Sequence, residues 1–169
     1  MISALSLVAL SDTAPPPRHD VAGVVQIVNR EAVEERFGSW PSFHDAEVYA
    51  VRLDSGQRST GSTSLELDIH VFAVEGAKPD GQYNFARHTL VTVCFEGVEA
   101  VELNGFGPQN VLDDLLIEDL GHGFATAARI SVSLPSNNGL GGGFRCEHVT
   151  VLSAVPFEPG PRSVYRADR

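Results

Sequence analysis

The chain has 169 residues, 43% of them hydrophobic and 20% charged, which fits a folded domain with its own core and excludes a disordered one. Twelve basic residues against twenty-two acidic ones give a net charge of −10. That charge repels nucleic acid and anionic membrane and suits a basic partner, besides its ordinary use in keeping a protein soluble.

Residues 1–10 read as a short strand or docked tail. The apolar run there has no preceding Lys or Arg and no convincing small-residue cleavage site, so the cytoplasm is the expected location. Three prolines (Pro15, Pro16, Pro17) favour an extended linker. Residues 20–37 show helical spacing, with Asp20 as N-cap and Val21, Val24, Val25 and Val28 on one face, and a break is expected near Asn29. Gly38 is placed to close this helix, and Pro41 keeps Ser39 and Trp40 out of helical conformation. The loop that follows carries the chain's one tryptophan, with Phe43, His44 and Asp45, directly before a strand-like run.

From there the period changes to two. Strands are expected over residues 47–53, 65–71, 88–96 and 98–103, with turns over 54–62 and 76–81. In the cleanest of them Leu65, Leu67, Ile69 and Val71 face a core, while Glu66, Asp68, His70 and Phe72 face a largely wet side. A second polar-aromatic loop spans residues 104–110. Residues 111–120 allow helix or strand, and neighbouring strands favour strand. Gly121-His122-Gly123 breaks it; further strands are expected over 127–134 and 144–154, with a long loop over 135–143. The expected architecture is α+β, predominantly antiparallel β, a single sheet or sandwich of about six to eight strands with one or two N-terminal helices. Its domain spans residues 20–155, between a tail and linker (1–19) and a peripheral C-terminal tail (156–169).

Signatures of chemistry are sparse. Six histidines invite a metal, but none has ligand spacing such as HExxH, and exposure on the wet face is the expected fate of His70, His88 and His148. No GxSxG is present, and the glycines of residues 139–143 lack the Lys-Ser/Thr ending of a phosphate loop. Cys94 and Cys146, both in expected strands, behave as small core residues in a reducing compartment, with a single disulfide left open. Asp113, Asp114, Glu118 and Asp119 fit no calcium loop and read as an acidic face. No cofactor is expected, and the balance leans away from an enzyme. Trp40 and Phe43 either seal the base of the sheet or line a pocket with His44, Asp45, Glu47, Phe106, Gln109 and Asn110. In the pocket reading Asp45 orients the His44 imidazole for general-base work.

The run Phe37-Gly-Ser-Trp-Pro-Ser-Phe-His-Asp-Ala-Glu-Val48 resembles the start of the immunity protein 50 family of bacterial polymorphic toxin systems. So does Gly105-Phe-Gly-Pro-Gln-Asn-Val111, which follows a strand of the type Val-Thr-Val-Cys-Phe-Glu-Gly-Val. The resemblance covers residues 30–152. It implies an α+β or mostly β domain that binds and neutralises a cognate toxin, with no turnover. An acidic toxin-facing surface at Asp113, Asp114, Glu118 and Asp119 would then meet a basic toxin domain, and the His44-Asp45 loop would be structural. Two other readings stand beside it: a small metal-dependent or His/Asp-based hydrolase centred on His44 and Asp45, and a non-catalytic ligand-binding β domain.

Overall fold

The computed structural model describes residues 25–57, 61–79, 81–121 and 126–160. The expectations for residues 1–24, for His122 and for residues 161–169 lie outside the described residues.

Strand β1 (Ile27–Val28) opens the described chain and runs parallel to the last strand, β11 (His148–Pro156), pairing Ile27 with Val149 and Val28 with Thr150. This corrects the helix expected up to Asn29. A β-branched run suits a strand, and a partner strand beside it outweighs helical spacing. The break itself falls where expected: Asn29 takes φ +57°, and helix α1 (Glu31–Phe37) follows. Gly38, at φ +87°, closes it by donating its N–H to the Glu34 carbonyl at 2.6 Å.

The next three strands form a meander: β2 (Glu47–Asp54), β3 (Ser64–Ala77) and β4 (Tyr83–Glu96). Both β3 and β4 outrun their expected lengths, because pairing continues through Gly76 with a register shift instead of ending in a loop. Then come β5 (Glu99–Asn104), β6 (Val111–Leu112), β7 (Leu116–Asp119), β8 (Ile130–Leu134), β9 (Ser136–Asn138) and β10 (Gly141–Cys146). One sheet has the order β1-β11-β4-β3-β2-β6-β9 and the other β5-β10-β8-β7, antiparallel throughout except for β1–β11. The mostly antiparallel α+β class is as expected, with eleven strands among the described residues. The number is higher because two expected strands divide, and because β1 and β9 form where a helix and a loop were expected. Residues 111–120 give β6 to one sheet and β7 to the other, and residues 144–154 bend at Glu147 between β10 and β11.

The long loop expected over residues 135–143 is a further correction, since it contains β9 and the start of β10. The glycines there are demanded by proximity. A Cβ on Gly142 would collide with the Glu102 carbonyl of β5, and one on Gly139 with the Gln109 carbonyl.

One core lies between the sheets. Leu65, Leu67, Ile69, Val91, Val93, Phe95, Val149 and Val151 come from the larger sheet, and Val132, Leu134, Phe144 and Cys146 from the smaller. Phe95 and Phe144 meet edge to face across it, with ring centroids 4.9 Å apart. Helix α1 packs on β11 and β4 and sends Val33 into the same core. Cys94 and Cys146 are free, buried thiols, and burial pushes Cys146 up to about 12. The outer face of β3 departs from expectation at one place: His70 is 0% exposed.

Candidate functional site

The Trp40 loop is built from both its ends. After Gly38 ends the helix, Phe43 drops into the core at 1% exposure, beside Ala46 and Leu112. Trp40 stays half-buried against Phe43, ring centroids 5.5 Å apart, and the Arg30 guanidinium lies 5.3 Å from its ring centroid. Arg30 is itself held by Glu34 at 2.7 Å, one helical turn on. The two aromatic rings therefore have different fates: Phe43 packs, and Trp40 forms a wall.

The two sequence blocks that are far apart in the chain lie side by side in space. Asp45 N–H donates to the Leu112 carbonyl at 3.0 Å, Leu112 N–H to Ala46 at 2.9 Å, and Val48 N–H to Asn110 at 2.8 Å. Asn110 is buried and its carboxamide is fully used. Its Nδ2 donates to the carbonyls of Val48 (3.1 Å) and Gly107 (3.0 Å), and its Oδ1 accepts from the N–H groups of Gly107 (2.8 Å) and Leu140 (3.2 Å). It locks loop to strand. Gln109 Oε1 accepts from Asn138 Nδ2 at 3.4 Å, and Phe106 is 55% exposed.

His44 is exposed at the loop's tip. Its Nδ1 lies 3.0 Å from the Asp113 carbonyl and 3.2 Å from the Asp113 carboxylate, and its Nε2 lies 3.7 Å from Asp45. The hydrogen bond to the Asp113 carbonyl, then the Asp45 charge, raise its pKa. A proton on Nδ1 donated to the Asp113 carbonyl clamps the loop to residue 113, and the neighbouring carboxylates favour the charged form of the ring. Glu47, half-buried in β2, has its carboxyl raised by burial, opposed by a hydrogen bond from the Tyr49 hydroxyl. Among the described residues, no three His, Cys, Asp or Glu side chains converge to hold a metal ion.

Beside Trp40 opens a cleft of about 720 Å³. One wall is Ile27, Arg30, Trp40, Pro41 and Ser42; the other is the continuous stretch 114–120, containing β7. The fold thus brings three of the four candidate acids, Asp114, Glu118 and Asp119, together with Trp40, and leaves Asp113 outside beside His44. Asp114 and Asp119 are braced, their carboxylates accepting from the N–H groups of Leu115 and Gly121 at 2.8 Å each. Arg30 is the one cationic side chain among the described lining residues, and it is already engaged by Glu34 and Trp40. Phe106, Gln109 and Asn110 are absent from this lining; Gln109 lies against β9.

Sequence reasoning missed a second cluster, on the outer face of the larger sheet. His70 Nε2 and His88 Nδ1 are 2.9 Å apart, sharing a hydrogen bond. Phe157, Tyr49 and Phe72 surround His70 with ring centroids 4.9, 6.1 and 5.7 Å away, and Phe85 extends the group from Phe72 at 5.0 Å. Burial, then the neighbouring His88, push His70 down to about 4, and burial lowers His88 as well. Phe157, assigned to a peripheral tail, donates its N–H to the His88 carbonyl at 2.9 Å and so covers the pair. The available signal was the alternation that puts His70 and Phe72 on one face. The chain alone does not show that Phe157 returns there.

A family model described as immunity protein 50 matches residues 29–157, a span that includes α1, both sequence blocks, the β7 wall of the cleft and the His70–His88 pair. Comparisons with curated proteins and with solved structures find no match. Among the described residues, no helix is long and apolar enough to cross a membrane.

Proposed function

This chain belongs to the immunity protein 50 family, and on that premise we propose that it binds a cognate bacterial toxin domain directly and blocks it without turnover. The observation that carries the proposal is the meeting of Asp114, Glu118 and Asp119 with Trp40 on one cleft. An acidic concave surface on a protein of net charge −10 steers a basic partner during encounter. A half-buried tryptophan beside it supplies the kind of rigid apolar anchor that dominates binding energy at interfaces. His44 and Asp45 act on this proposal as a clamp that holds the loop bearing Trp40, not as catalytic groups.

The proposal requires a toxin domain encoded beside this chain, and the test uses that domain. Replacing Asp114, Glu118 and Asp119 with Asn, Gln and Asn should slow association about 10-fold at low salt and flatten its dependence on ionic strength. Unchanged association with that domain would overturn the placement of the interface, and absence of a complex would overturn the function.

A further inference from the structure

The cleft's acidic wall is also an open sheet edge. Strand β7 pairs with β8 in the register Leu116↔Ser133, Ile117↔Val132, Glu118↔Ser131 and Asp119↔Ile130, with no shift. Leu120 N–H donates to the Arg129 carbonyl at 2.8 Å, so Leu120 belongs to a hydrogen-bonded pair. Antiparallel alternation then turns Glu118 and Leu116 toward β8 as well, and points the N–H and C=O groups of Ile117 and Asp119 away from it. Among the described residues, β7 is the last strand of its sheet on that side.

The other edges are less suited. Strands β1 and β9 have two and three residues. Strand β5 has six, but Ala100 at φ +50° and a register shift against β10 break its regularity, devices that blunt an edge against pairing. Strand β7 is regular and sits at a cleft, and Leu116 beside it is 41% exposed.

We infer that the toxin docks by strand addition: a short extended segment of it pairs with the outward backbone groups of Ile117 and Asp119 and becomes a fifth strand of the smaller sheet. This rests on the function proposed above and specifies its geometry. Main-chain hydrogen bonds supply affinity in such docking, and alternate side chains supply specificity. Here Glu118 and Asp119 select Lys or Arg in the added segment, Leu116 selects an apolar neighbour, and Trp40 closes the opposite wall.

The experiment is residue-resolved amide hydrogen exchange on the full chain, free and mixed with the toxin domain encoded beside it. The amides of Ile117 and Asp119 should exchange at least about 10-fold more slowly in the complex, with little change at Glu118, whose N–H is already paired to β8. As a second reading, Ile117→Pro removes an outward N–H without touching the pairing to β8 and should weaken binding about 10-fold relative to Ile117→Val. If the proline variant melts early, the exchange data on the unaltered chain decide alone. A neutralising one-to-one complex that leaves both amides unprotected overturns strand addition and leaves the function standing. Amides already protected in the free chain also overturn it, since its own residues then occupy the edge. No complex at all overturns the function, and this inference with it.

Discussion

Two ring clusters on this molecule look alike in composition and differ in what surrounds them. At the cleft, Trp40 is half-buried, and the imidazole tied to its loop, His44, stands in water between Asp45 and Asp113. On the outer sheet face, His70 is sealed beneath Phe157 and Tyr49 and shares a hydrogen bond with a second imidazole. The first environment favours the protonated ring and the second favours the neutral one. The contrast shows that an imidazole's role follows from its cover and its neighbours, not from its place in a strand or loop.

The largest expected effect separates the two aromatics of the loop. Phe43→Ala should cost about 3–5 kcal/mol in urea denaturation, because it empties a fully buried site. Trp40→Ala should cost only about 1–2 kcal/mol, the sum of partial burial and the Arg30 contact, while abolishing most toxin binding. Equal stability losses would make Trp40 a core residue and remove it from the interface.

Next comes the sealed histidine. Its folded pKa of about 4 lies below the ordinary 6.5, so the unfolded chain binds the proton more readily. Its neutral form therefore supports the fold fully above pH 6.5, and that support is lost as the pH falls toward 4. The loss should reach about 3 kcal/mol at the acid end, and His70→Phe should remove most of it. A flat stability profile between pH 6.5 and 4 would show that His70 is not sealed.

The smallest effect has the opposite sign. His44 has a raised pKa, so its contribution is complete below pH 6.5 and is lost as the pH rises through the folded value. Comparing the chain with His44→Ala across neutral pH should show a small alkaline-side loss that only the unaltered chain displays. If both chains behave alike, the clamp to Asp113 does not hold the loop.

How much of this was legible depended on whether the evidence was local. Gly38 as a cap, the break at Asn29 and the alternation of Leu65, Leu67, Ile69 and Val71 need only a few neighbouring residues, and all stand. The two sequence blocks could be recognised, but it takes the β2–β6 pairing of Glu47 with Val111 and the hydrogen bonds around it to bring them together. What failed was long-range. Ile27 and Val28 are a strand because residues 149 and 150 lie beside them, and Gly142 is a strand glycine because β5 approaches it. His70 was assigned to the wet face correctly by alternation and wrongly by cover, since Phe157 lies 87 positions further along.

The pairing of β1 with β11 sets an order of events during synthesis. Strand β11 lies between β1 and β4, yet among the described strands it is the last to leave the ribosome. Until it does, the flank of β4 that it will cover is bare, β1 lacks its partner among the described strands, and α1 has only β4 of the two strands it packs on. Folding of the larger sheet is therefore a late step that closes a loop of more than a hundred residues, and such distant closures are slow. A nascent chain stalled before residue 148 would present an apolar, half-made sheet, more apt to aggregate than to bind anything.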